Sequence, residues 1–573
     1  MVNVGRGKQN NYLCSMRRLL RILLKIVGIV LGVFLLLLLV LTVYIYKVSD
    51  FPDPAVTDTS SYALKPQLIE GSLTSIGKNW IRKNEYGLYE MYVEGKPLER
   101  GVIEGKLSQQ LITDQEVAFT DEIKRMIPSH RYLKFLKYVI GFMNRGLPDH
   151  VTPEYQQEIY GISRAASPQF SWIGDNYDRI LSYHAAHDIG HALQNMMLVG
   201  CTSFGAWGGK TSNGSLLVGR NFDFWVGDKF AEHKIVSFTK PDKGHAFASI
   251  TWGGFIGVVS GMNDQGLTVT INAAKSSIPF NAATPVSLVA REILQYAATI
   301  EEAIAIAKRR EMFVSESFLI ASAKDHKAVV IEKTPNELAV YDSNKEAIAC
   351  TNHYQSAAFE NQELNVAQKQ NSASVYRYQR LEELLQAQYP LTPQKMATIL
   401  RDRRGLHNRN IGNGNEKAIN QLIAHHSIIF EPDSLRFWVS SNPWQLGAYV
   451  CYDLKKIENL NGLHKDQPVA NSSLTIAPDS FLLTKDYTDF LQFRKNKWAL
   501  LTHQPVDTAA TIHANPFFYD AYRIAGDYCM QQAWFAQAVA YYSHALTLEI
   551  ATVEERRSIE DKRQTCRRAL NKK

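Results

Sequence analysis

Hydrophobic and polar residues follow different patterns in successive parts of the chain. Residues 26–46 are apolar and contain no charged residue, which predicts a helix long enough to cross the hydrocarbon core of a bilayer. Residues 67–200 combine a few short strand patterns with longer helical periodicity. From Cys201 onward, short alternating segments are separated by amphipathic helices, which predicts two sheets covered by helices on both faces. After residue 463 the pattern is helical again.

Local signals also predict particular element boundaries. Thr299 and Glu302 have the spacing of a capping box that begins a helix. Thr113-Asp114 is interpreted as another helix start, and residues 255–259 as a strand. A polar stretch at residues 468–478 is expected to be a joint between two parts of the chain.

The most informative stretch is a predicted β-hairpin over residues 201–222. Ser212-Asn213-Gly214 supplies turn residues between two alternating segments. Cys201 begins the first strand, whereas Arg220 and Asp223 lie near the end of the second. A guanidinium favours the thiolate of a nearby cysteine, and a carboxylate can orient a base beside it. The same residues also fit a buried small side chain and a surface ion pair, so spacing alone leaves both interpretations open.

Composition and charge indicate a globular protein with a basic N-terminal end. Hydrophobic residues make up 45% of the chain and charged residues 21%, which is typical of a protein with a packed core. Residues 1–25 contain lysines and arginines but no acid, and they account for most of the net charge of +7. The remainder therefore offers no argument for nucleic-acid binding. The positive-inside rule places this tail in the cytoplasm and the chain after residue 47 outside it.

The expected organisation has six parts. In order they are a cytoplasmic tail (1–25), a transmembrane helix (26–46), a linker (47–66), a mainly helical prosegment (67–200), a catalytic domain (201–463) and a helical extension (464–573). Residues 518–548 resemble one tetratricopeptide helix pair. Because one repeat cannot bury its own faces, the pair is either a helical cap on the catalytic domain or a surface for a protein partner.

Cysteines and histidines offer two further hypotheses. The six cysteines have no regular spacing, so neither a disulfide framework nor a zinc ribbon is predicted, and a Cys350–Cys451 disulfide stays open. His184, His187 and His191 share one face of a helix predicted over residues 176–197. They would either pack against the core or bind zinc, as in a histidine-zinc hydrolase. Metal ligands must converge on one point, so the packing role is favoured and no cofactor is expected.

Several motifs follow one another in a fixed order along the chain. They are Gly200-Cys201, the Arg220-Asn221-Phe222-Asp223 segment, residues 261–267 followed by Asn272, Thr351-Asn352, and residues 372–374 ahead of Arg377 and Arg380. This order resembles the peptidase C45 family, which includes the acyl-CoA:6-aminopenicillanic acid acyltransferases. More distantly it is similar to the bile-salt (choloylglycine) hydrolases and penicillin V amidases. All of these are N-terminal-nucleophile (Ntn) hydrolases.

The resemblance implies an α+β fold, the αββα sandwich of Ntn hydrolases, and a role for each matching residue. Cys201 would be the nucleophile and, through a free α-amine, the base. Asp223 would bind that amine, and Arg220 would stabilise the thiolate.

Three further residues complete the implied catalytic set. Asn272 and Asn352 would donate hydrogen bonds to the oxyanion. Arg377 would help to close the site or bind the acyl carbonyl, and the choice between Arg377 and Arg380 stays open.

An internal cysteine gains a free amine only if the preceding bond is cut. The resemblance therefore predicts autoproteolysis at Gly200–Cys201 into chains 1–200 and 201–573 that stay together noncovalently. Acyl-CoA is cytoplasmic, whereas the site is predicted to lie outside the cytoplasm, which is the periplasm if the source is a Gram-negative bacterium. An amidase acting on an N-acylated small molecule or peptide is therefore favoured. The alternatives are an acyltransferase and a catalytically inactive, membrane-tethered binding protein.

Overall fold

The computed structural model describes residues 5–127, 129–192, 200–276, 282–458, 460–502 and 504–571. Within these ranges lie an eleven-stranded sheet and a seven-stranded sheet. The strands of the larger sheet are β1 (Gln67–Glu70), β2 (Leu73–Ile76), β3 (Asn79–Lys83), β4 (Tyr89–Gly95), β7 (Ile235–Pro241), β8 (Phe247–Thr251), β9 (Ser260–Asn263), β10 (Leu267–Ala273), β11 (Glu316–Ser322), β12 (Lys327–Lys333) and β13 (Leu338–Tyr341), which neighbour one another in this order. The strands of the smaller sheet are β5 (Thr202–Gly208), β6 (Gly214–Phe222), β14 (Ala347–Cys350), β15 (His426–Glu431), β16 (Arg436–Ser440), β17 (Tyr449–Asp453) and β18 (Ala470–Ile476), in the spatial order β14-β5-β6-β15-β16-β17-β18.

Helices precede, cover and follow the two sheets. They are α1 (Gly5–Val48), α2 (Pro97–Leu107), α3 (Gln109–Met126), α4 (His130–Met143), α5 (Leu147–His150), α6 (Pro153–Ser163), α7 (Asn176–Ala192), α8 (Asp228–Glu232), α9 (Val286–Tyr296), α10 (Ile300–Arg309), α11 (Glu363–Asn371), α12 (Ser374–Gln388), α13 (Pro393–Leu400), α14 (Leu454–Glu458), α15 (Lys485–Leu501), α16 (Thr508–Ala514), α17 (Tyr519–Gln531), α18 (Phe535–Ala545) and α19 (Val553–Asn571).

The two sheets lie face to face with helices outside them. One apolar core lies between the sheets, where Phe238 and Ile250 of the larger sheet join Val218 and Ile428 of the smaller. A second core joins the outer face of the larger sheet to α9 and α10, and a third joins the outer face of the smaller sheet to α12 and α13. The layers therefore run helix, sheet, sheet, helix, in agreement with the predicted sandwich.

The segment before Cys201 is part of the larger sheet rather than a separate unit. Its strand β4 pairs in parallel with β7 over seven residues, from Tyr89 opposite Ile235 to Gly95 opposite Pro241. A buried ion pair adds a second attachment, because Arg100 bonds Glu158 at 2.5 and 2.9 Å within the segment, and Arg291 of α9 reaches the same carboxylate at 3.4 Å. The segments before and after Cys201 thus share one core.

Three local expectations are wrong. Helix α3 begins at Gln109, ahead of Thr113. Residues 255–258 form a buried loop that follows a turn containing Gly254, whose φ is +82°, and β9 begins only at Ser260. The expected joint at 468–478 contains β18, an edge strand of the smaller sheet. An edge strand with one face in solvent carries polar residues, which explains its resemblance to a linker.

The C-terminal helices form a cap on the sandwich. Helices α15 to α19 share an apolar core with Leu422, Trp444 and Leu446. Polar contacts reinforce this docking, since Asn415 Nδ2 donates to the Glu549 carbonyl at 2.8 Å. The α17–α18 pair is present where the tetratricopeptide-like segment was predicted, and Gly526 leaves the room that the Tyr542 ring occupies. The tetratricopeptide resemblance itself stays a prediction.

The N-terminal helix α1 contains the predicted apolar span. Residues Arg18–Val48 are long and apolar enough to cross a membrane, and the segment is not buried against the rest of the protein. Membrane anchors and N-terminal signal sequences share this length and composition.

Candidate active site

The β5–β6 hairpin brings the predicted nucleophile and arginine together. Ser203 lies opposite Arg220 in the ladder, so the arginine side chain reaches the residue just ahead of β5. Arg220 Nη2 lies 3.6 Å from the Cys201 sulfur. The same guanidinium donates to Ser260 Oγ at 2.5 Å and to the Ile271 carbonyl, which fixes its orientation. The hairpin predicted from the turn residues is confirmed, and it places a cation beside the thiol.

The thiol of Cys201 is buried and protonated in this structure. Only 1% of Cys201 is exposed. Burial raises the pKa of the thiol to about 11, although Arg220 acts in the opposite direction. Any attack by this sulfur at neutral pH therefore needs a neighbouring group that accepts its proton.

Asp223 and Gln421 surround the peptide bond between Gly200 and Cys201. The Gly200 N–H donates to the Asp223 carbonyl at 2.9 Å, and Gln421 Nε2 donates to the Gly200 carbonyl at 2.7 Å. Gln421 Nε2 also lies 3.5 Å from Asp223 Oδ2. Burial raises the pKa of the Asp223 carboxyl to about 7, opposed by Arg377 and Arg220. A carboxyl that titrates near neutrality thus lies beside a polarised carbonyl.

Glycine at position 200 leaves the space that the Gln421 amide occupies. A Cβ there would lie 2.6 Å from Gln421 Nε2 and 2.8 Å from Oε1, closer than side chains approach one another. Sequence reasoning missed Gln421, because it lies in an irregular segment far along the chain from the hairpin. The C-terminal cap packs against the adjacent Leu422 and so supports the segment that carries it.

The structure distinguishes between the two candidate arginines of α12. Arg377 donates to the Cys201 carbonyl at 2.6 Å and to Thr202 Oγ1 at 2.9 Å, and its other terminal nitrogen donates to Asn352 Oδ1 at 2.7 Å. Arg380 instead bonds Asp402 with two nitrogens at 2.9 Å. Of the two arginines of α12, Arg377 is therefore the one that contacts Cys201.

Both predicted oxyanion donors have other acceptors in the uncut chain. Asn272 Nδ2 donates to the carbonyls of Cys350 and Thr351 at 3.1 and 3.2 Å. Asn352 Nδ2 donates to the Ala273 carbonyl at 2.9 Å. Asn272 Oδ1 accepts from Ser203 Oγ at 2.7 Å and Asn352 Oδ1 accepts from Arg377, and the role of the two amides as oxyanion donors stays a prediction.

A chain of buried polar groups leads away from Arg220. Ser260 Oγ lies 2.8 Å from His426 Nε2, and His426 Nδ1 lies 2.9 Å from His425 Nδ1. Lys234 is wholly buried nearby, and its Nζ has no hydrogen-bond partner among the described residues. Burial lowers the pKa of Lys234 to about 7 and that of each histidine well below its ordinary range. We call Lys234, His425 and His426 the basic cluster, and no sequence motif indicated it.

Of the three histidines in the zinc hypothesis, His184 is the one whose side chain lies in the described part of the chain. His184 is wholly buried, with Nδ1 2.9 Å from the Ile180 carbonyl and Nε2 accepting the Ile256 N–H at 3.0 Å, so both ring nitrogens have partners. Burial lowers the pKa of His184 to about 4. The side chains of His187 and His191 lie outside the described residues, and those described contain no group of three metal-ligating side chains.

The open disulfide hypothesis is wrong. Cys350 and Cys451 are both free and buried. Four strands, β5, β6, β15 and β16, separate β14 from β17, which at roughly 4.8 Å per strand puts the two sulfurs far beyond bonding distance.

Comparison with known proteins identifies the region that carries these residues. The family model of the acyl-coenzyme A:6-aminopenicillanic acid acyl-transferases matches residues 209–442. This region is similar to that acyl-transferase family. The match begins after Cys201 and includes Arg220, Asp223, Asn272, Asn352 and Arg377.

Curated relatives match smaller parts of their own length. An uncharacterized protein of Archaeoglobus fulgidus is 26% identical over 276 residues, which cover 44% of this chain and 45% of that protein. The N-acylethanolamine-hydrolyzing acid amidase of Caenorhabditis elegans is 27% identical over 239 residues, covering 40% of this chain and 63% of the amidase. The chain thus spans about half the length of the curated relatives it matches.

Two solved structures are also similar, with low TM-scores. The Caenorhabditis elegans amidase ortholog has a TM-score of 0.29 at 21% identity, covering 41% of this chain and 93% of the ortholog. A mutant of conjugated bile acid hydrolase from Clostridium perfringens has a TM-score of 0.31 at 14% identity, covering 46% of this chain and 95% of the hydrolase.

Proposed function

We propose that the protein is a membrane-anchored amidohydrolase that activates itself by cutting its Gly200–Cys201 bond and then cleaves a linear amide outside the cytoplasm. The observation that carries this proposal is the set of contacts around that bond. The thiol of Cys201 follows the bond, Gln421 Nε2 donates to the Gly200 carbonyl, and the Asp223 carboxylate lies 3.5 Å from the same Gln421 nitrogen. The match of residues 209–442 to the acyl-transferase family model supports the same chemistry.

The self-cleavage would proceed in two steps. Asp223 takes the proton of the Cys201 thiol while the sulfur attacks the Gly200 carbonyl carbon, and Gln421 stabilises the resulting oxyanion. The carbon–nitrogen bond then breaks, the nitrogen takes the proton back, and a thioester joins Gly200 to the sulfur. Water hydrolyses this thioester, which leaves a carboxylate on Gly200 and a free thiol and amine on Cys201.

The new amine would supply the base for cleavage of the substrate. A free α-amine has an ordinary pKa near 8, which suits proton transfer at neutral pH. Attack of the thiolate on a substrate amide would form an acyl-enzyme and release the amine product, and water would complete the turnover. The substrate would be an N-acylated small molecule or a peptide. Arg220 would stabilise the thiolate, and Arg377 would hold the Cys201 carbonyl.

The apolar span of α1 supports the location. An anchor that keeps the basic tail in the cytoplasm would place the catalytic region outside, or in the periplasm of a Gram-negative cell. Membrane fractionation with protease protection tests this part separately from the chemistry.

The decisive experiment measures fragment masses and N-terminal sequences of the full chain expressed in membranes. Wild type should yield a fragment that begins at Cys201, Cys201→Ala should stay whole, and Cys350→Ala, which removes a nearby buried thiol, should still be cut. A folded wild type that stays whole would contradict the proposal and favour a membrane-tethered binding protein.

Acyl transfer is the second candidate, because the matching family model describes acyl-transferases. The cut protein, given an acyl-amide substrate and a competing amine, distinguishes the two. Release of free acid at a rate independent of the amine supports hydrolysis, whereas an amine-dependent acylated product supports transfer.

A further inference from the structure

Helix α4 leaves an aromatic and basic face without a protein partner in the described part of the chain. Phe135 is 61% exposed, Tyr132 50% and Tyr138 38%. They lie at three-residue intervals, so they occupy one broad stripe of the helix. Exposure of large aromatic side chains to water in such a stripe is unfavourable. This indicates that a partner other than the described chain covers them.

The charges of α4 share one sign. Arg131, Lys134 and Lys137 alternate with the aromatic residues, and the helix contains no acidic residue. Basic residues beside exposed aromatic and aliphatic side chains are typical of helices that lie in the interfacial layer of a bilayer. Such a helix binds anionic headgroups through its cations while its rings enter the upper acyl region.

Helix α4 lies where this layer would be. Its C-terminal end packs against the end of the apolar span: the Phe142 and Tyr44 rings are 6.4 Å apart, and Gly141 lies so close to Ser49 that a Cβ would be 2.5 Å from the serine hydroxyl. The span ends at Val48. The exposed face of α4 therefore adjoins the segment that would leave the membrane.

We propose that α4 is a second membrane contact, which lies in the outer interface of the bilayer and binds anionic lipid headgroups. This inference rests on the proposed anchor. With two points of attachment, the catalytic region has a defined orientation toward the membrane instead of swinging on the short connection after α1.

The test places an environment-sensitive fluorophore on the helix in full-length protein. A Cys14→Ser, Cys201→Ala background leaves only buried cysteines among the described residues, so a cysteine introduced by Phe135→Cys can be labelled alone. The matched control carries Leu483→Cys, since Leu483 is a 91% exposed apolar residue of the C-terminal region. Both proteins are reconstituted into vesicles of phosphatidylcholine with phosphatidylglycerol, with and without brominated acyl chains.

Quenching by the brominated lipid should be about threefold stronger at position 135 than at 483, because interfacial helices bury their apolar face. Arg131→Glu with Lys134→Glu and Lys137→Glu should abolish the dependence on phosphatidylglycerol, since each basic residue near the surface favours anionic lipid about fivefold.

Every other result would overturn the inference. Equal quenching at the two positions, with the protein floating with the vesicles, would contradict the contact of α4 and leave the anchor intact. A blue-shifted label that is not quenched would indicate burial against protein, such as a second copy. Failure to float would remove the anchor and this contact together.

Discussion

The site around Cys201 and the basic cluster of Lys234, His425 and His426 are two halves of one buried polar chain, joined at Ser260. At the first, each cation has specific acceptors: Arg220 bonds Ser260 and a backbone carbonyl, and Arg377 bonds Cys201, Thr202 and Asn352. At the second, the ammonium of Lys234 has no partner in the described chain. A buried group keeps its charge where hydrogen bonds compensate the loss of water, and its pKa shifts toward the neutral form where they do not.

The comparison gives the two regions different roles. Arg220 and Arg377 stay charged and can stabilise a thiolate or an oxyanion. Burial lowers the pKa values of the basic cluster, which reduces its charge at neutral pH, and its effect falls on the stability of the fold. The following changes test that difference.

Asp223→Asn should have the largest effect, because it removes the proton acceptor proposed for self-cleavage. We expect no detectable fragment beginning at Cys201 over days, measured by mass spectrometry of protein purified from membranes. In wild type, the carboxyl is protonated below its pKa of about 7 and accepts no proton. The cleavage rate should therefore rise about tenfold per pH unit up to neutrality and level off above it. A rate that is flat from pH 5 to 8 would rule out Asp223 as the base.

Gln421→Leu should slow self-cleavage by about 100-fold, which is the usual loss for one oxyanion donor. The measurement is the half-time of fragment appearance after synthesis. Gln445→Leu is the matched control, since Gln445 is also wholly buried but makes no contact with Gly200. Equal half-times for the two variants would show that the 2.7 Å contact with the carbonyl has no catalytic part.

Arg377→Lys should lower turnover of an acyl-amide substrate by about 10- to 100-fold, because one ammonium cannot replace the forked contacts to Cys201, Thr202 and Asn352. Arg380→Lys, one helical turn away, weakens the contacts with Asp402 and Glu383, which do not involve Cys201, and should cost about 1 kcal/mol of stability with turnover retained. Equal losses of turnover in both variants would contradict the assignment of Arg377.

Lys234→Met should leave self-cleavage unchanged and stabilise the protein. The folded protein holds this lysine neutral above about pH 7, whereas the unfolded chain protonates it below its ordinary pKa above 10. The cost of burying Lys234 therefore grows as the pH falls from 10 to 7 and is constant below that. We expect the variant to gain about 2–4 kcal/mol at pH 6 and little at pH 10, measured by denaturant unfolding. A gain independent of pH would mean that apolar packing causes it.

Sequence reasoning recovered what short-range signals encode. The Asn213-Gly214 turn determines the β5–β6 hairpin, and the Thr299–Glu302 capping box begins α10 as predicted. The pairing of β4 with β7 and the position of Gln421 depend on contacts between residues more than a hundred positions apart, so no local pattern announces them. The sequence does not distinguish Arg377 from Arg380, because only the packing of α12 determines which of them reaches Cys201.

The parallel pairing of β4 with β7 has a consequence for folding itself. Before the cut, both strands belong to one chain, so refolding is an intramolecular reaction that is independent of dilution. After a cut at Gly200–Cys201 the same ladder joins two polypeptides, and its recovery depends on their concentration. A precursor that refolds freely would thus become an enzyme that loses its native state irreversibly once its fragments separate.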